Sequence, residues 1–254
     1  MSLVLVCLWI FGIAALVNQV SVALTTVYLH RGKNHLAVRF LPWVDNLMSL
    51  TVLFLTGVVT REWVAWHRNH HAHPDQKGDS HSPYEHGLWP LFWYKNFLLY
   101  RRDTRDMTFV WQNTRGWKLT WADRLPFRRF GIVIGLGIVV VVSFLVWGIW
   151  GILFGFLAFL LHVLAYIWLN AAINSFCHMK GYQNYKGNNN LATNIRWLAW
   201  LTAGEALHNN HHGNQNSPKF SHRKEETDLG WGLILGLSFL GLAEPRWELI
   251  QQLT

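Results

Sequence analysis

Two cysteines, Cys7 and Cys177, are all that the 254 residues contain. That excludes a disulfide framework and any zinc or iron–sulfur site built on cysteine. Charge is scarce too. Asp, Glu, Lys and Arg make up 14% of the chain, where a soluble globular protein has roughly 25%. Hydrophobic residues reach 51% and there are 16 Trp. Disorder is excluded, and an ordinary soluble enzyme is disfavoured. The length sets one domain as the starting expectation, 1–254. A net charge of +8 fits either nucleic-acid binding or a basic membrane protein. The hydropathy pattern decides for the membrane, so no nucleic-acid partner is expected.

The first charge-free run is Leu3–Leu29. As a helix it is roughly 40 Å long, enough to cross a hydrocarbon core of about 30 Å. A cleaved signal peptide would carry a basic start and a small-residue cleavage site; Met1-Ser2 offers no such charge, and Arg31 follows the run. Residues 3–29 therefore read as a retained span. Residues 131–169 hold no charge and one histidine, His162. They make roughly 58 Å of helix, about two core thicknesses, and Gly148–Gly151 in the middle suits a tight reversal. This is read as a helical hairpin of two spans. The runs 44–59 and 229–243 are too short for a confident crossing, so the first is expected to be interfacial or re-entrant and the second interfacial. All 22 Lys and Arg and all 14 Asp and Glu lie within residues 31–129 or after Asn170. The charged segments must share one side, and the positive-inside rule makes it cytoplasmic. The fold class is an all-α, multi-pass integral membrane protein. It has three clear spans, interfacial helices and a cytoplasmic helical cap, which includes residues 170–254. With three spans the N-terminus lies outside.

The 14 histidines are not scattered. His30 and His35 form H-x4-H. His67, His70 and His71 form H-x2-H-H. His178 closes Asn174-Ser-Phe-Cys-His178. His208, His211 and His212 form a second H-x2-H-H. On an α-helix, residues three and four apart share a face, so each H-x2-H-H presents three converging imidazoles. The H-x4-H pair differs. Five α-helical residues advance about 500°, which leaves two side chains about 140° apart, and His35 is expected to return from a segment that has left the helix. One pair is weak evidence for a metal, and one H-x2-H-H could be an exposed polar turn. Two such clusters with a pair and an extra histidine, all on one topological side, indicate a metal site. Two crossings of the hairpin bring the later boxes back to the side of the earlier ones. Nine imidazoles exceed the needs of one ion, so two ions are indicated. Imidazole suits zinc, copper, iron and nickel, whereas magnesium and calcium prefer oxygen. A structural zinc would be satisfied by four ligands. Two irons activating dioxygen next to a greasy substrate is the economical reading.

These residues resemble a known family. H-x4-H, H-x2-H-H, N-S-x2-H and G-E-x2-H-N-x-H-H, in that order, look like the membrane-bound acyl desaturases of the stearoyl-CoA desaturase type, including bacterial delta-9 members. The most specific parts are Tyr28–Arg31, Glu62-Trp63 ahead of His67–His71, and Gly204–His212. Asp79-Ser-His81-Ser-Pro83 also resembles a family segment. The sterol-desaturase and fatty-acid-hydroxylase group usually opens with H-x3-H, so the x4 spacing favours the acyl desaturases. The resemblance implies a di-iron centre (Fe2+/Fe3+) held by His30, His35, His67, His70, His71, His178, His208, His211 and His212, with Asn174 reaching one metal through a water. It also implies four spans, two of them before the first box, where only one fits here.

The implied reaction uses O2 and places a cis double bond, at the delta-9 position, in an acyl chain. The substrate is acyl-CoA, acyl-lipid or an acyl-carrier conjugate. Membrane lipid surrounds the enzyme. The chain has no ferredoxin-like cysteine pattern, no dinucleotide-binding glycine loop and no cytochrome b5-like His-Pro-Gly-Gly, so a separate ferredoxin, rubredoxin or cytochrome b5-like donor is implied. Arg101, Arg102, Arg128 and Arg129 could dock an acidic donor or a carrier's phosphates. The bland alternative for them is anchoring to the membrane surface. Each metal-bound histidine needs an acceptor for its other ring nitrogen, and Glu205, Glu62 and Asp75 are the carboxylates closest to the boxes in sequence. His81 is a supporting candidate through its segment. His162 is expected to be neutral and hydrogen-bonded. Two rival readings remain: a di-iron fatty acyl hydroxylase or related lipid oxygenase, and a metal transporter. A transporter would place its ligands near the membrane midplane, not at span ends among charges.

Overall fold

A bilayer core offers no water to backbone groups, so a charge-free run must satisfy its own hydrogen bonds as helix. The computed structural model shows this for both long runs. It describes residues 2–186 and 191–250. The extreme ends of the 1–254 domain and residues 187–190 of the cap lie outside the described residues. Helix α1 (Leu3–Leu24) does not stop at Leu29 as expected. It winds on as π-helix through Thr25–Asn34, giving one apolar helix of 32 residues. After it comes a three-residue strand, β1 (Val38–Phe40).

Helix α2 (Pro42–Thr56) starts with Pro at its first turn, where the missing N–H costs nothing. It ends at Gly57, whose φ of 69° is the left-handed stop that glycine allows. Helix α3 (Thr60–Ala72) then leaves at 84° to α2. This bent pair does not separate the first two histidine boxes, since the His30 and His67 rings lie 4.4 Å apart. Helix α4 (Asn96–Arg105) follows in the cap.

Helix α5 (Gly131–Trp147) and helix α6 (Ile149–Phe176) form the hairpin, reversed at Gly148 with φ 60°. Gly151 lets it close, because a Cβ there would sit 2.1 Å from the Ser143 carbonyl oxygen. Trp9 donates to the Ser143 hydroxyl at 3.1 Å and ties α1 to α5. Among the described residues, three helices are long and apolar enough to cross a membrane, Leu3–Asn34, Arg128–Trp147 and Ile149–Phe176, or four if the bent pair of α2 and α3 counts as one broken span. His162 on α6 donates from Nε2 to the Leu55 carbonyl at 2.8 Å.

Three short helices complete the cap: α7 (Arg196–Leu201), α8 (His208–Gly213) and α9 (Leu229–Phe239). At 11 residues α9 is about 16 Å long, half a hydrocarbon core. Strand β2 (Ala243–Pro245) pairs antiparallel with β1, Val38 opposite Pro245. An all-α reading leaves this pair out. It ties the end of the described chain to the segment after α1. Deep in the cap, Arg31 is fully buried against Asp228 at 2.8 Å, with its guanidinium 3.8 Å from the centre of the Phe220 ring.

Candidate metal centre

The first box depends on the π-winding. In a π-helix the hydrogen bond runs from residue i+5 back to i, and His35 N–H donates to the His30 carbonyl at 3.1 Å. Five residues then complete little more than one turn. The two rings come within 5.0 Å of each other instead of pointing 140° apart. The expectation that the chain has left the helix well before His35 is corrected here. The helix persists to Asn34 because it is wider.

Each H-x2-H-H box splits, because residues four apart nearly eclipse on a helix and the residue between them does not. On α3, His67 and His71 stand one turn apart with their Nε2 atoms 2.9 Å from each other, while His70 turns the other way. On α8, His208 and His212 pair at 3.1 Å and His211 turns away. The result is two clusters. His30, His35, His67, His71 and His211 form one, and His70, His178, His208 and His212 form the other. Within each, the nitrogens lie within 4.8 Å of one another. Box α3 gives two imidazoles to the first cluster and one to the second, and box α8 does the reverse. His178, just past the end of α6, completes the four.

Carboxylates fix which nitrogen faces inward. Nδ1 of His30 bonds Glu205 at 2.5 Å, that of His70 bonds Asp79 at 2.8 Å, and that of His178 bonds Asp75 at 2.8 Å. Thr26 also donates to Glu205. Burial pulls the carboxyls of Asp75, Asp79 and Glu205 up, yet each ends below its ordinary value because of the hydrogen bond to and charge of its histidine. Burial, reinforced by neighbouring imidazoles, pushes His35, His208, His211 and His212 well below 6.5. These rings are neutral at pH 7 and available as ligands.

Imidazoles crowded this closely need something between them. Nε2 of His211 is 3.0 Å from Nε2 of both His30 and His71, and Nε2 of His70 is 3.2 Å from that of His212. In His30 and His70, Nδ1 faces a carboxylate, and Nε2 faces another ring nitrogen. The buried Nε2 of His178 has no hydrogen-bond partner among the described residues. Cations at the two cluster centres would resolve both facts. All-nitrogen donor sets of four and five suit zinc, copper, iron or nickel.

The remaining candidates fall into three situations. Asp75 and Glu205 each touch a clustered histidine. Glu62 has no hydrogen bond to one among the described residues. Burial raises its carboxyl, opposed by Arg128, Arg129 and Arg101. His81 stacks between His70 and Trp66, its ring centre 4.2 Å from each. Asn174 donates to the Asn96 side-chain oxygen at 2.8 Å, and its own oxygen accepts no hydrogen bond among the described residues. Asp79 and Asn96 were not expected in these roles. The first stands inside the Asp79–Pro83 segment, and the position of the second has no signal in the sequence.

A cavity of about 850 Å³ adjoins the centre. His67, His208 and Asn174 line its inner part, apolar residues such as Leu55 and Ile132 its walls, and exposed Arg101, Arg102, Arg105 and Arg129 its outer part.

Long apolar helices, a histidine-rich centre at their ends and an apolar cavity leading to it define a membrane-bound enzyme of the histidine-box class. The family model for fatty acid desaturase matches residues 7–224, and the chain belongs to that family. It is similar to Delta-9 acyl-lipid desaturase 2 of Arabidopsis thaliana, 30% identical over 227 residues, covering 86% of this chain and 68% of the relative. It is also similar to Delta-9 desaturase-like 3 protein of the same plant, 30% identical with 92% and 75% covered. Against sn-1 stearoyl-lipid 9-desaturase of Synechocystis it is 30% identical, with 86% and 65% covered. The protein is an integral membrane oxidoreductase, a fatty acid desaturase.

Proposed function

We propose that the two histidine clusters hold two iron ions and that the enzyme uses O2 to place a cis double bond at the delta-9 position of an acyl chain. The observation that carries this reading is the division of nine imidazoles into sets of five and four, with His67 of the first and His208 of the second lining an apolar cavity. Bound there, the iron pair would supply the oxidative power to take two hydrogens from neighbouring methylenes. The chain's own residues do the rest. Glu205, Asp79 and Asp75 hold their histidines in one tautomer and orientation. Asn174, turned by Asn96, offers its oxygen to a water at the centre. An unactivated methylene has no polar handle, so the cavity's apolar walls must select the bond by shape while excluding water. The arginines on its outer part suit an anionic head group, whether of coenzyme A, a phospholipid or an acyl carrier. The one-sided distribution of charge supports a cytoplasmic active face.

Two expected results follow from this reading. Gas chromatography–mass spectrometry of host lipids, with double bonds located by derivatisation, should show a new cis-monounsaturated acid only when the wild-type chain is expressed. A hydroxy acid instead would assign the centre to a hydroxylase. Asp79→Asn removes the charge that orients His70, so iron affinity should fall by roughly 10–100-fold. Chelator competition measures it, and unchanged iron retention would separate Asp79 from the centre.

A further inference from the structure

A second cavity, of about 950 Å³, opens on the cap and shares no lining residue with the first. Three exposed cations line it, Lys180, Arg196 and Arg223, together with Trp89 at 55% exposure and Trp197 at 68%. The guanidinium carbons of Arg196 and Arg223 lie 4.9 and 5.7 Å from the centre of the Tyr182 ring. Two carboxylates are close by. Glu225 interacts with Arg196 and has Lys224 beside it. Glu226 is buried and already accepts from Tyr182, Asn184, Asn210 and the backbone of His222 and Arg223. The rim is therefore net basic and aromatic.

Its floor lies close to the four-histidine cluster. Tyr182 bridges Asn194, and Asn194 bridges Leu207, the residue before His208. Lys180 follows His178 by two positions. The Asn194 side chain donates to the Asn210 oxygen at 2.8 Å, and Asn210 precedes His211. One layer of backbone and one side-chain hydrogen bond thus connect this groove to both clusters.

Forming a double bond takes two electrons and two protons from the acyl chain. Reducing dioxygen to two waters takes four of each. Two electrons must therefore arrive from two visits of a reduced one-electron carrier, and two protons from water. We propose that the Lys180–Arg196–Arg223 groove docks that carrier, an acidic redox protein, and passes its electrons across the Tyr182–Asn194–Leu207 floor into the centre. The proposal rests on the desaturase reading above. It leaves the arginines of the first cavity to the substrate, so donor and substrate bind together.

The test uses the full iron-loaded chain in lipid nanodiscs with reduced plant-type ferredoxin and reduced rubredoxin as acidic probes, and a basic cytochrome as control. For wild type, acidic probes should be oxidised faster than the basic one, with a rate that falls as salt rises. The double variant Arg196→Glu/Arg223→Glu should lose about 10- to 100-fold of that rate at low salt. Its iron content and its single turnover after dithionite reduction should not change, and Arg196→Lys/Arg223→Lys should keep most of the rate. Four results would overturn the proposal: an unchanged donor rate in the charge-reversed variant, an equal loss after dithionite, no preference for acidic probes, or a loss confined to binding anionic-lipid vesicles. If dithionite-reduced wild type forms no unsaturated product, the desaturase reading fails instead, which is a separate outcome.

Discussion

His211→Ala is expected to cut unsaturated product by at least about 100-fold, since losing even an outer partner of a ligand costs 10–100-fold. The sharper expectation concerns iron count. The two clusters are unequal, with five and four imidazoles. Removing one ring from the set of five leaves four nitrogens, still a complete nitrogen site. Removing one from the set of four leaves three. His178→Ala should therefore lose iron far more readily than His35→Ala. His178 also has a carboxylate partner in Asp75, which would lose its strongest donor, whereas His35 has no carboxylate partner among the described residues. Iron per chain, measured after dialysis against a weak chelator, should approach two in wild type, stay above one in His35→Ala, and fall to about one in His178→Ala. On the proposed two-iron reading, all three single variants should be poor desaturases. Equal iron loss from His35→Ala and His178→Ala would reject the five-and-four division.

That division illustrates what the sequence does and does not carry. The spacing of His67, His70 and His71 announces converging imidazoles, because α-helical geometry is fixed. Which of them meets His211 and which meets His212 depends on how α3 and α8 cross, and no local pattern encodes it. The H-x4-H pair is misread for a related reason. Its geometry assumes α-winding, and the helix widens over Thr25–Asn34, where nearly every side chain is buried and packing sets the backbone. The hairpin is legible because 39 charge-free residues have few alternatives. The β1–β2 pair is not, since three residues a side give no periodicity. Asp75 and Glu205 are found through proximity to the boxes. Glu62 meets the same criterion, yet its side chain lies among arginines. Closeness in sequence selects candidates, and helix phase then sorts them.

Asp228→Ala is expected to destabilise the protein by about 3–5 kcal/mol, the usual cost of stranding one charge of a buried ion pair. Arg31 has no exposed surface, and its Nη2 meets the Asp228 carboxylate at 2.8 Å. Its Nη1 donates to the Pro218 carbonyl at 3.1 Å, and its plane covers Phe220. Gly204 and Gly230 close over it so tightly that a Cβ would lie 3.1 or 3.0 Å from Nη2. No water can replace the lost carboxylate without opening this packing. Asp228 also accepts from the backbone of Phe220 and Trp231, the second at the start of α9. Its removal should therefore release α9 from the π-helical segment. A double variant, Arg31→Met/Asp228→Ala, removes the stranded guanidinium and should recover part of the loss, because a buried pair is often replaceable by apolar packing. Thermal unfolding in nanodiscs gives both values, and a cost below about 1 kcal/mol for Asp228→Ala would show that the pair is not the clamp. Arg31 directly follows His30 in the chain. If the clamp holds the first box in place, Asp228→Ala should also weaken iron binding, and the double variant should restore stability more fully than it restores iron.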